Sequence, residues 1–77
     1  MDAIPGKKYQ HYKGGVYRVI TLALSEDAHE KMVVYESCED SDDFPKGSVW
    51  IRAYANFTDT VDLDGVKKPR FTLLPSS

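Results

Sequence analysis

A single cysteine, Cys38, stands in the whole sequence of 77 residues. That excludes an intramolecular disulfide and a multi-cysteine zinc site. The thiol reads as a small buried apolar group and fits a reducing compartment. No apolar run approaches the roughly 20 residues of a membrane-crossing helix, and residues 1–5 lack the basic and apolar regions of a signal peptide. The expectation is a cytoplasmic protein with no membrane partner. There is no internal repeat, no low-complexity linker and no stretch with the periodicity of a long helix. Bases that titrate near neutrality are scarce too: His11 and His29 are the only histidines.

What is present is a folded composition, 42% hydrophobic with 12% aromatic residues, in a chain just long enough for one modest core. The net charge of −2 hides an asymmetry, because five of the twelve acids (Glu36, Glu39, Asp40, Asp42 and Asp43) fall within eight residues. The rest of the chain is mildly basic. That excess is too small for general nucleic-acid binding, which rests on many phosphate contacts, but it leaves room for a local anion site.

The stretch His11-Tyr12-Lys13-Gly14-Gly15-Val16-Tyr17-Arg18-Val19 sets the fold class. Gly14-Gly15 supplies the positive φ angles of a two-residue hairpin turn. Such a turn places Tyr12 opposite Tyr17, His11 opposite Arg18 and Tyr9 opposite Ile20. Around it, residues 1–6 read as an arm ending in a Pro5-Gly6 turn, and residues 7–13 as a first strand. Residues 16–24 form the strongest strand, apolar on both faces and therefore central or bent. Residues 25–30 form a loop and residues 31–37 a third strand. The acidic segment 36–47 is predicted to be an extended, solvated loop. It lacks the glycine spacing and terminal glutamate of an EF-hand, so no metal is assigned to it.

Residues 48–52 form a fourth strand with Val49 and Ile51 on one face and Trp50 and Arg52 on the other. One helical turn is expected over residues 53–58. A closing hairpin, 59–63 and 66–74, follows. Between a two-residue Asp64-Gly65 turn and a three-residue Leu63-Asp64-Gly65 loop with a bulge, the second is preferred, because it aligns Phe57 with Phe71. Pro69 marks an edge or a bulge, and residues 75–77 read as a frayed tail. The pattern predicts a mainly β fold: a small antiparallel SH3-like barrel of five to six strands with at most one short helical turn, an OB-type barrel being the alternative.

The order Tyr9-Gln10-His11-Tyr12-Lys13-Gly14, Tyr17-Arg18-Val19, Val33-Val34-Tyr35, Trp50-Ile51-Arg52 and Pro69-Arg70-Phe71 resembles the short bacterial and phage proteins grouped as domain of unknown function 1653. The likeness spans roughly residues 5 to 73. It implies a compact β fold and no established reaction. The chain departs from the pattern at Leu24-Ser25-Glu26, where the family tends to have His-Ser-Glu, and at Arg52-Ala53, where it tends to have Arg-Pro. It departs again at Asn56-Phe57, in place of Met-Phe, and in a longer acidic loop.

No catalytic triad or strained nucleophile turn is legible, so a small hydrolase ranks third among the functions considered. The better signal is a set of aromatic and basic residues on the strands: Tyr9, His11, Tyr12, Lys13, Tyr17, Arg18, Tyr35, Trp50, Arg52 and Arg70. Half or more of these aromatics are needed for the core. Arginine beside aromatic rings suits a protein interface, and it also suits a planar anionic ligand such as a nucleotide or an exposed base. The preferred reading is a non-catalytic binding module for a protein partner, contacted through the aromatic-basic face or the acidic loop, with no cofactor. The alternative is a nucleotide or nucleic-acid binder, for instance a phage protein that sequesters a host signalling nucleotide. Open strand edges add a route to a homodimer.

Overall fold

A computed structural model describes residues 2–75; Met1 of the expected arm and residues 76–77 of the expected tail lie outside them. Among the described residues the fold is mainly β, with one helical turn and seven strands in two antiparallel sheets, rather than the expected five to six strands, because the last expected strand divides at Arg70. In chain order the elements are β1 (Lys8–His11), β2 (Val16–Leu24), β3 (Lys31–Ser37), β4 (Val49–Ala53), α1 (Tyr54–Phe57), β5 (Thr60–Leu63), β6 (Val66–Pro69) and β7 (Phe71–Leu73). Five strands pair in the order β4-β3-β2-β1-β7, and β5 and β6 form a separate hairpin. β4 and β7 are therefore the edges of the larger sheet.

The turn between β1 and β2 is longer than Gly14-Gly15 alone suggests. Tyr9 pairs with Tyr17 and Gln10 with Val16, which corrects the expected Tyr12–Tyr17, His11–Arg18 and Tyr9–Ile20 pairs. The His11 amide donates to the Gly15 carbonyl at 2.7 Å and the Gly14 amide to the His11 carbonyl at 2.7 Å. These bonds define a three-residue loop, Tyr12-Lys13-Gly14, in which only Gly14 takes a positive φ (+110°). The register moves by three residues, an odd number, so the faces exchange. Tyr9 and Tyr17 then lie on the same, inward side.

β2 is central and bent, as its two apolar faces require. Val19 pairs with Tyr35 and Thr21 with Val34, leaving Ile20 as an extra residue in a bulge. Before the bulge the inward residues are Tyr17 and Val19; after it, Leu22 opposite Val33 packs on the core. In β3 the alternation is regular, with Val33, Tyr35 and Ser37 buried.

The preferred register of the last hairpin is also corrected. Val61 pairs with Lys68 and Leu63 with Val66, around a two-residue turn in which Asp64 and Gly65 have φ of +52° and +82°. Phe57 and Phe71 nevertheless meet, stacked at 4.0 Å with their planes 7° apart. The expectation that they fix the register fails because neither belongs to the hairpin. Phe57 sits on α1, and the strand breaks at Arg70, whose carbonyl accepts the Tyr12 amide at 2.9 Å. Phe71 then leads β7 along β1.

The core is small and largely aromatic: Ala3, Tyr9, Val19, Val33, Tyr35, Phe57 and Phe71. Ala3 belongs to the arm, which packs onto the core. The Tyr9 hydroxyl accepts the Ile4 amide at 2.8 Å and donates to the Asp2 carbonyl at 2.9 Å. The Tyr54 hydroxyl donates to Asp2 Oδ1 at 3.1 Å. No described helix is long and apolar enough to cross a membrane.

Candidate functional site

Strand pairing brings residues distant in the sequence onto one concave face. Trp50 of β4 lies opposite Tyr35 of β3, and Arg52 opposite Val33. The same inward side of β2 contributes Tyr17, the end of β1 contributes His11, and the connection between the two strands contributes Lys13 and Gly15. Together with Phe71 of β7 these residues line a cavity of about 410 Å³. Six of the ten residues expected at a site therefore share one cavity: His11, Lys13, Tyr17, Tyr35, Trp50 and Arg52.

The other four lie elsewhere. Tyr9 is fully buried and its hydroxyl is consumed by the arm, so it is a core residue. Tyr12 sits behind His11, ring centroids 4.5 Å apart. Arg18 points to the opposite face, where it pairs with Glu36, beside a separate cavity that it shares with Lys8 and Lys46. Arg70 is held by Asp59 through two bonds, 2.7 Å from Nε and 3.2 Å from Nη2.

Arg52 is different. Among the described residues it is the one arginine without a carboxylate within reach. Its guanidinium lies 5.6 Å from the centroid of the Phe71 ring, and its Nε donates to the Tyr35 hydroxyl at 3.4 Å. A guanidinium held over a ring by one hydrogen bond has donors left for an anion. His11 lies beside it, edge-on to Phe71 at 4.9 Å. Its Nδ1 accepts the Lys13 amide at 3.2 Å, which leaves the imidazole proton on Nε2. Burial, followed by the charges of Arg52, Arg70 and Lys13, lowers its pKa below the ordinary 6.5. The hydrogen bond from Arg70 similarly holds the Asp59 carboxyl below its ordinary range.

A second cavity, of about 380 Å³, adjoins the first and shares Gly15, Tyr17 and Trp50 with it. Its far side is the acidic segment. That segment is not extended as the charge run suggests. Phe44 turns back to meet Trp50 edge-on at 4.6 Å, and the Ser41 hydroxyl bonds the Phe44 backbone in both directions. Asp40 Oδ1 accepts the Lys46 amide at 2.6 Å. Trp50 is fixed from the other side, its indole N–H donating to Ser37 Oγ at 2.8 Å. The fold thus carries Glu39 and Asp40 to the cavity wall. The residues singled out in the sequence do not include Phe71, and Phe44, Glu39 and Asp40 enter there only through the acidic loop as a whole. The one sequence signal for Phe44 is an aromatic ring inside a charged loop, just before Pro45. Among the described residues no group of three or more His, Cys, Asp or Glu is placed to hold a metal ion.

Comparison with known proteins gives the same family twice. A family model described as "Protein of unknown function (DUF1653)" matches residues 7–73. The fold is similar to the crystal structure of a DUF1653 protein from Bordetella bronchiseptica, with a TM-score of 0.76 and 28% identity, over 92% of this chain and 87% of that one. None of the curated proteins matches the chain.

Proposed function

The chain belongs to the DUF1653 family, and from that premise we propose that it is a small non-catalytic binding module whose aromatic-basic cavity takes an anionic group of a protein partner. The observation that carries this reading is Arg52. It makes no ion pair, lies over the Phe71 ring, bonds to Tyr35 and shares an open cavity with Lys13 and His11. Its remaining N–H donors face the cavity, where an incoming carboxylate would engage them in charge-assisted hydrogen bonds. Trp50 and Tyr17 supply the rigid aromatic surface on which partner side chains anchor.

The nucleotide reading uses the same residues, with a base on Trp50 and a phosphate on Arg52. It is less favoured because the adjoining cavity is lined by Glu39 and Asp40, which repel a polyphosphate or polynucleotide running along the face. We also take the curled five-stranded sheet as an SH3-like barrel left open between β4 and β7. Contact of Phe71 on β7 with Tyr35 on β3, at 5.7 Å across the sheet, supports that view. The lone cysteine supports a cytoplasmic location.

The test is an affinity capture with purified protein, alongside W50A and R52A variants whose circular dichroism is unchanged. A partner retained by the parent and lost by both variants supports the reading. Equal recovery by all three moves the site elsewhere. A rise of several degrees in melting temperature with mono-, di- or cyclic nucleotides, abolished by R52A, replaces the protein partner with a nucleotide.

A further inference from the structure

The two adjoining cavities differ in charge but share a wall. Trp50 and Tyr17 stand between them, with Arg52 and Lys13 on one side and Glu39 and Asp40 on the other. Resting on the reading above, we propose that the occupant is an extended, dipolar peptide segment of the partner, with an acidic side chain at Arg52 and a basic side chain at Glu39 and Asp40.

Three features of the molecule support this occupant. The first is charge complementarity. A uniformly acidic or basic segment gains at one end of the groove and is repelled at the other, whereas a dipolar one is favoured at both. The second is scale. Compact cavities of about 380 and 410 Å³ are each roughly 7–9 Å across, so adjoining centres are separated by about two to three residues of extended chain, and of these spacings only i and i+2 project to the same side of a strand. The required pattern is therefore an acid and a base two positions apart, with the intervening side chain directed away from the groove. The third concerns the source of the negative charge. A terminal carboxylate is ordinarily captured by a nest of free backbone amides, but here the Gly14 amide is already bonded to the His11 carbonyl and the cations are side chains. An internal aspartate or glutamate meets that arrangement. The wall itself is rigid, since Trp50 is held by Ser37 on one flank and by the Phe44 ring on the other.

Selection of a displayed random heptapeptide library on immobilised protein tests both levels of the claim. Peptides recovered on the parent are expected to carry opposite charges two residues apart. E39Q/D40N retains the Asp40 side-chain oxygen that accepts the Lys46 amide. On this double variant the basic position should lose its enrichment while the acidic one persists. Trp50, the single tryptophan, reports binding by fluorescence, and replacing the peptide's basic residue by glutamine should weaken the parent's affinity about tenfold and the double variant's hardly at all. If recovered peptides depend on Arg52 yet show no basic residue, or ignore E39Q/D40N, the dipolar assignment is wrong and the binding reading survives. If no peptide recovered on the parent is lost on R52Q, both fail.

Discussion

Replacing Phe57 by leucine tests whether the aromatic cluster, rather than apolar area in general, holds the last third of the chain on the sheet. Phe57 is fully buried and meets three rings: Tyr9 at 5.4 Å, Tyr35 at 5.4 Å and Phe71 at 4.0 Å. A swap that nearly conserves apolar volume costs less than about 1.5 kcal/mol by itself. Each aromatic pair adds about 0.5–1.5 kcal/mol beyond its area, and three pairs on one ring are not additive. A total of about 2–3 kcal/mol follows. A domain of this length has roughly 4–12 kcal/mol of stability in all, so F57L stays folded while F57A, at about 3–5 kcal/mol, approaches the limit. At about 4–8 °C per kcal/mol for a small domain, F57L should melt roughly 10–20 °C below the parent by far-ultraviolet circular dichroism. A fall of under about 3 °C would refute the reasoning, since leucine would then hold α1 and β7 as well as the stacked ring does.

Adjacent glycines should answer differently to alanine. G14A meets open space but must hold φ near +110°, so it should lose more than about 1 kcal/mol of stability by thermal denaturation. The Cβ of G15A would lie 3.0 Å from the Tyr17 ring, so it should displace the wall shared by both cavities and weaken ligand binding in a Trp50 fluorescence titration. His11 has a folded-state pKa below the unfolded one, so its contribution to stability is complete above the unfolded value near 6.5 and declines as pH falls through the folded value. A proton NMR titration should find its midpoint below 6.5, and R52Q should raise it by removing a neighbouring cation. Asp59, also depressed, contributes stability above its unfolded pKa that is lost as pH falls through the folded one. Acid denaturation of D59N should therefore show a flatter dependence below about pH 4. R52Q should weaken partner binding roughly tenfold to a hundredfold, the worth of one or two charge-assisted hydrogen bonds, measured by the same fluorescence.

Alternation and turn composition act over a few residues, and they determined most of the elements. β2 and β3 occupy the spans that their β-branched and aromatic density predicts, and the division of β4 into a Val49–Ile51 side and a Trp50–Arg52 side holds. Both hairpin registers differed from expectation, the last because Phe57 and Phe71 lie outside the hairpin, and the first for a more general reason. A glycine pair permits several loop lengths of similar local energy, and the choice among them is made by which side chains must be buried. Tyr9 had to face Tyr17, and no residue near Gly14 carries that information.

The site divides in the same way. Aromatic and basic residue types on the strands are visible in the sequence, and they mark six of the residues that line the cavity. Which arginine is left for a ligand is not visible, because it depends on Glu36 lying across from Arg18 and Asp59 lying beside Arg70. Nor does the acidic run reveal that Phe44 folds its loop against Trp50. By itself the sequence determined the strands, the faces of most of them and the chemistry those faces carry, since these follow from interactions between near neighbours. Only the tertiary structure decided which of these groups neutralise one another and which share a cavity, because pairing between distant strands sets every one of those distances.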